Sequence, residues 1–353
     1  VLGAGAALDA GAALDAGAPL DAGAPLDAGA ALDAGAPLDV DETTRAGTRR
    51  MWIFFDRAAP GREAVESAVS PRARARTRLR GGSAAQCDPP GYPSAEMIAL
   101  VIPHVERVRH RSFYFHAVSV DVKPERVSAL RALPGVERVA EVRAYRRAPI
   151  EAVPVPCDPH GLRSADTPAQ AELFGNSYGQ LKMIQALELL VAGYNGSGAA
   201  RRGEPVMIGV LDTGFRLDHE AFGRLDVHAE YDFINFDAVT ANEPGDHPWQ
   251  DRHGTLVLAV LAGFARGNLV GPAWGARYLL AKTEIIDQEI RVEEDNWIAG
   301  LEWCDSIGAD VVTSSLGYID WYDPGMLDGN TALCTRAADI AVSRGIVVCN
   351  AAG

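Results

Sequence analysis

An aspartate closing an apolar strand and a histidine opening an apolar helix are the first residues of this sequence that could do chemistry. VMIGVLD (206–212) is an almost continuous apolar run of strand length, ending on Asp212 with Thr213 and Gly214 behind it. RHGTLVLAVLAG sets His253 at the start of a helix, with Gly254 and Thr255 beside it. A buried strand is rigid, and a glycine after it lets the backbone turn away. Reactive groups of open α/β sheets collect at the carboxyl ends of strands. An imidazole can take a proton from a nucleophile, while a carboxylate beside it fixes the tautomer and stabilises the imidazolium. The pair therefore points to nucleophilic hydrolysis. Either residue alone has a plainer reading, as a strand-end cap or as a satisfied helix-start histidine.

Two other motifs compete. VLDTG fits the apolar-Asp-Thr-Gly pattern of aspartic proteases, but that chemistry needs a second copy and has no use for HGT. GNSYG (175–179) fits a nucleophile elbow, and Ser177, Asp212 and His253 follow its chain order. The elbow needs a buried strand leading into it, and TPAQAELF is not one.

The elements that must position the pair alternate. After 172 the sequence predicts a strand over 206–212, a long buried helix over 254–265 and a strand over 277–283. A helix over 295–307, a strand over 310–316, a helix over 331–345 and a buried strand over 346–350 follow. Near-continuous apolar strands separated by helices predict an α/β fold: a parallel sheet covered by helices on both faces. Residues 50–148 predict a smaller α+β domain, with a strand at 51–55 and a basic helical stretch broken near Pro71. A strand over 112–122, a helix over 124–133 and an alternating strand over 135–147 complete a ferredoxin-like sandwich. Residues 149–171, rich in proline, read as a linker.

Residues 1–46 are low-complexity, an acidic hexapeptide repeat of the LDAGAP type, with Asp9, Asp15, Asp21, Asp27, Asp33 and Asp39 marking the period. So few repeats cannot bury a core, so the segment reads as a spacer rather than a β-helix. Residues 1–42 hold −8 of the net charge of −14. The basic stretch Arg45–Arg80 lacks an aromatic platform or a binding motif, so no nucleic acid partner is expected. No apolar run reaches the ~18–20 residues of a transmembrane segment. The five cysteines form no metal-ligand pattern, and Cys304, Cys334 and Cys349 read as small buried hydrophobes.

Together these motifs resemble the subtilisin-like serine proteases. VMIGVLDTGFRLDHEAF resembles the family's aspartate motif, RHGTLVLAVLAG its histidine motif and VVTSSLGY its substrate-binding strand. GIVVCNAAG resembles the strand leading to its oxyanion asparagine. The resemblance covers about residues 172–353, and YFHAVSVDVKPERVSALRALPGVERVAEVRAYR resembles the family's inhibitory propeptide. It implies a secreted zymogen (no signal peptide is visible) acting on protein or peptide substrates and held by an intramolecular propeptide. Asp212 would orient His253, and His253 would serve as general base and then general acid. Ser315, Leu316 and Gly317 would pair with the substrate backbone as an open strand edge. The oxyanion asparagine and the nucleophilic serine would follow Gly353. The alternative is a non-catalytic chain whose 50–148 part inhibits or binds proteases. The chemistry implied needs no cofactor. A structural calcium is in doubt, because Ala221 stands where many relatives carry an aspartate ligand. The acids Glu284, Asp287, Glu289, Glu293, Glu294 and Asp295 could hold a hard cation, but read more simply as a solvated loop and helix start.

Overall fold

The computed structural model describes residues 47–56, 69–80, 91–142, 167–198, 203–286, 292–318, 322, 324–326 and 328–351. The hexapeptide repeats, most of the proline-rich linker, Cys87, Cys157, Asp287 and Glu289 lie outside them. All described elements belong to one compact body, Asp41–Gly353.

The first part is a four-stranded antiparallel sheet. Its elements are β1 (Arg49–Phe55), α1 (Pro71–Leu79), α2 (Ala95–Val101), β2 (Arg107–Ser112), β3 (Ala117–Val122), α3 (Val127–Arg131) and β4 (Val136–Val142). The strand order β2-β3-β1-β4 is that of a ferredoxin-like β-α-β-β-α-β sandwich, with α1 added. The single strand expected over 112–122 is instead a hairpin, turning at Phe113–His116 with His116 at φ 51°. The turn is apolar because Phe113, Tyr114 and Phe115 are buried in a core shared with the second part of the molecule, which hides the usual polar turn signal. Pro71 does not break a helix but starts one: Ser70 caps α1 and proline takes its first turn, where a missing N–H costs nothing.

Period-2 alternation explains why β1 reads as an unbroken apolar run. Met51, Ile53 and Phe55 enter a core with α2 and α3. Trp52 and Phe54 enter a different core, on the opposite face, with Trp297, Ile298 and Leu301. Both faces of this sheet are therefore covered.

Three short helices follow, α4 (Pro168–Phe174), α5 (Tyr178–Met183) and α6 (Leu187–Val191). The second sheet then comprises β5 (Met207–Asp212), β6 (Asp226–Asp232), β9 (Arg277–Lys282), β10 (Val311–Ser314) and β11 (Val347–Asn350). Between β6 and β9 lie α7 (Arg252–Ala262) and a two-residue ribbon, β7 (Phe264–Ala265) with β8 (Leu269–Val270). The crossovers to β10 and β11 carry α8 (Val292–Ile307) and α9 (Leu333–Ser343). The order is β11-β10-β5-β9-β6 with every pairing parallel.

Alternation along β5 assigns its side chains. Met207 and Leu211 pack in the core with α8 and α9, while Ile208 and Val210 pack with Leu258 and Ala262 of α7. Asp212 shares the parity of Ile208 and Val210, so it points toward α7. Two expectations need correction. The helix after His253 is not buried all round: Gly254, Leu258 and Ala262 face the sheet, whereas Leu256 and Val260 are exposed. The last strand is not buried either, because β11 is an outer strand with Val347, Cys349 and Asn350 exposed.

Candidate active site

The carboxyl end of β5 meets the amino end of α7. His253 Nδ1 lies 2.7 Å from Asp212 Oδ1, its N–H donating to the carboxylate. The Asp212 side chain is fully buried, whereas that of His253 is 45% exposed. The same Oδ1 accepts the Thr213 N–H at 2.7 Å, and Oδ2 has no partner among the described residues. The hydrogen bond to Asp212 raises the imidazole above its usual range; partial burial opposes this, and the charges of Asp212 and Glu284 add to it. With Nδ1–H committed to the carboxylate, Nε2 is the nitrogen left for proton transfer.

Close approach of strand end and helix depends on glycine. A Cβ on Gly254 would lie 2.2 Å from the Gly214 carbonyl and 3.1 Å from Asp212 Oδ1. Gly214 itself sits at φ 131°, where a side chain would strain the backbone. The Gly254 N–H donates to Thr213 Oγ1 at 3.2 Å, and Thr255 Oγ1 accepts the Arg216 N–H at 2.9 Å. The two motifs thus brace each other.

Gln250 is a positioning residue that the sequence reading missed. Its buried amide donates to the carbonyls of Thr213 at 2.7 Å and Glu284 at 2.5 Å, and accepts the Ile286 N–H at 3.1 Å. It ties the ends of β5 and β9 to the approach into α7. Nothing but its place three residues before His253 signals this. Lys282 was missed too. Its ammonium is buried 2.7 Å from both Asp232 and Asp246, holding the loop between β6 and α7 to the end of β9. Asp232, Asp237 and Glu243 each bring a carboxylate oxygen within 4.8 Å of the others.

Ser315, Leu316 and Gly317 run on past the last paired residue of β10. Gly317 is exposed and a Cβ there would meet nothing within 4 Å. The Leu316 carbonyl accepts from Asn350 Nδ2 at 3.0 Å. Ser177 stands apart from the dyad's bonding: it is buried, and its hydroxyl accepts the Val270 N–H at 2.9 Å. It sits in a helical turn that no buried strand enters, so the elbow reading fails.

Of the acids expected in a solvated loop and helix start, the four among the described residues, Glu284, Glu293, Glu294 and Asp295, are buried. Glu284 accepts from the Tyr318 hydroxyl, Glu293 from the Ile285 N–H at 3.2 Å and Glu294 from the Tyr322 hydroxyl at 2.7 Å. Asp295 accepts from Trp52 Nε1 at 2.5 Å and from the Ser119 hydroxyl. They diverge to separate donors because the antiparallel sheet and the segment after β10 cover them. Of the cysteines, Cys304 is buried, Cys334 half-buried and Cys349 exposed, the last because its strand is at the sheet's edge.

Residues 203–353 match the model of the subtilase family, Peptidase S8. No curated protein sequence matches the chain. Among solved structures it is similar to fervidolysin from Fervidobacterium pennivorans, a keratinolytic enzyme related to subtilisin. The identity is 16%, with 87% of this chain and 40% of that one covered and a TM-score of 0.48. It is also similar to the epidermin leader peptide processing serine protease of Staphylococcus aureus, with 12% identity, 87% and 61% covered, and a TM-score of 0.49. The chain thus spans less than two thirds of either protein. The protein has a parallel sheet flanked by helices and a separate antiparallel sheet, as the sequence predicts. Among the described residues no helix is long and apolar enough to cross a membrane.

Proposed function

We propose that the chain is the front part of a secreted serine endopeptidase zymogen. Asp212 orients His253 and stabilises its cation. His253 removes the proton from a serine supplied after Gly353 and returns it to the leaving amine. An asparagine following Gly353 supports the oxyanion, and the peptide backbone lies along Ser315–Gly317. The chemistry runs on protein groups alone and asks for no cofactor. Residues 50–148 act as the intramolecular propeptide. The observation that carries the reading is a fully buried carboxylate 2.7 Å from a half-open imidazole at a strand end.

The test is expression of the full-length parent, removal of residues 1–171, and labelling with a fluorophosphonate. Labelling at a serine beyond Gly353 is the expected result. A parent that folds, loses residues 50–148 and still takes no label would reject the enzyme and favour a protease-binding module.

A further inference from the structure

Helix α1 does a job that the four-stranded sheet does not. The last carbonyls of any helix lack intrahelical partners and carry the negative end of its dipole. The carboxyl ends of α8 and α9 lie side by side, joined by Arg344 Nε on Asp305, and α1 caps both at once. Ser70, its N-cap, donates its N–H to the Ser306 carbonyl at 2.7 Å and its hydroxyl to that of Ile307 at 2.6 Å. Arg72 Nε donates to the Gly308 carbonyl at 3.1 Å. One turn on, Arg76 donates to the carbonyls of Ala309 at 2.6 Å and Arg344 at 3.2 Å. Thr77 adds its hydroxyl to the Arg344 carbonyl at 2.9 Å.

Acidic groups complete the seat. Arg76 pairs with Asp305, whose second oxygen accepts from the Tyr114 hydroxyl at 2.8 Å. Arg72 pairs with Asp310 at 2.5 Å and with Glu204 at 3.2 Å. The surface is shaped for this occupant. Gly308 and Gly345 end the two helices at φ 115° and 92°. A Cβ on Gly308 would lie 2.9 Å from Arg72 Cγ, and one on Gly345 would lie 2.9 Å from Arg80 Cγ. Arginines 72, 76 and 80 recur every fourth residue, which puts them on one face of α1.

We propose that the paired carboxyl ends of α8 and α9 form a docking site for an arginine-bearing helix, filled in cis by α1. It holds the antiparallel sheet on the parallel one at a second point and keeps it bound after the chain between them is cut. The site reads guanidinium groups spaced i, i+4 behind a serine cap, a pattern a lysine helix cannot match because lysine lacks the fork that reaches a carbonyl and a carboxylate together. Two linked points of attachment make release slow, since either one re-forms from high local concentration while the other holds. The consequence for inhibition rests on the proposed propeptide role of residues 50–148; the docking itself does not.

The test uses the full chain with a specific protease site inserted between residues 142 and 167, cut after folding and then diluted, with complex and released piece separated by size. The wild type is expected to stay associated. Arg76→Ala should release about a hundredfold faster, because it takes the guanidinium from the Ala309 carbonyl and from a buried ion pair with Asp305, while the Arg344 carbonyl keeps only Thr77. Arg72→Ala, at a half-exposed position, should release about tenfold faster, and Arg78→Ala, on the exposed side, at the wild-type rate. If Arg76→Ala does not fold, Arg72→Ala and Arg72→Lys decide. Immediate dissociation of the cut wild type, or release of the Arg72 variants within about twofold of it, would overturn the proposal. The readout is complex size, so an inactive parent would sink the enzyme reading and leave this one standing.

Discussion

Asp212 and Glu302 are both buried carboxylates on the parallel-sheet part of the molecule, yet their surroundings differ. Asp212 gives one oxygen to His253 and Thr213 and leaves the other without a partner among the described residues. Glu302 is well supplied, accepting the Ser112 hydroxyl at 2.5 Å and the Phe113 N–H at 2.8 Å from the hairpin of the antiparallel sheet. Asp295, two turns earlier on the same face of α8, is held likewise by Trp52 and Ser119. A carboxylate that must answer a change of charge faces a partner that titrates and is partly open to water. A carboxylate that joins two layers faces donors that do not titrate. Burial alone therefore says little about the role of an acid; the character of its partners says more.

The sharpest way to break this contrast is Asp212→Asn in the full-length parent. The turnover number is expected to fall about 10⁴-fold, with little change in melting temperature. The raised pKa of His253 should drop toward its ordinary value, read by proton NMR of the ring. Undiminished turnover would make Asp212 a structural acid like the others.

The α8 carboxyls predict a pH dependence of opposite origin. Burial lifts Asp295 to about 7 and Glu302 to about 8, against 3.8 and 4.5 in open chain. Between those limits the folded form holds protons that the unfolded form has shed. Stability should therefore fall as pH rises through that window and level off above it. Chemical denaturation of the full chain across this range measures the slope, and Glu302→Gln should remove its alkaline part. The smallest effect is reserved for Ser177→Ala. It should cost about 1–3 kcal/mol by stranding the Val270 N–H and leave the parent's activity untouched.

The sequence exposed the dyad and hid the interface for a physical reason. Asp212 and His253 each end a periodic apolar run, so local pattern alone marks where a strand or helix delivers a polar group. Parity along β5 then chooses the face. The partners of Asp295, Glu302 and Asp305 lie 176 to 243 residues away in the chain for Ser119 and Trp52, and comparably far for Ser112 and Arg76. No period connects them. One clue was present: MWIFF is apolar on both parities, and a sheet with only one covered face would have alternated there. The hairpin at Phe113–His116 escaped for the converse reason, since its turn residues are buried and look like strand.

Lys282 has one more consequence. The corner it occupies, between Asp232 and Asp246, is neutralised by a counter-ion that is covalently part of the polymer. Such a cation cannot be diluted away or stripped by a chelator, and its stoichiometry is fixed at translation. That share of the loop's hold ahead of His253 travels with the gene rather than with the medium.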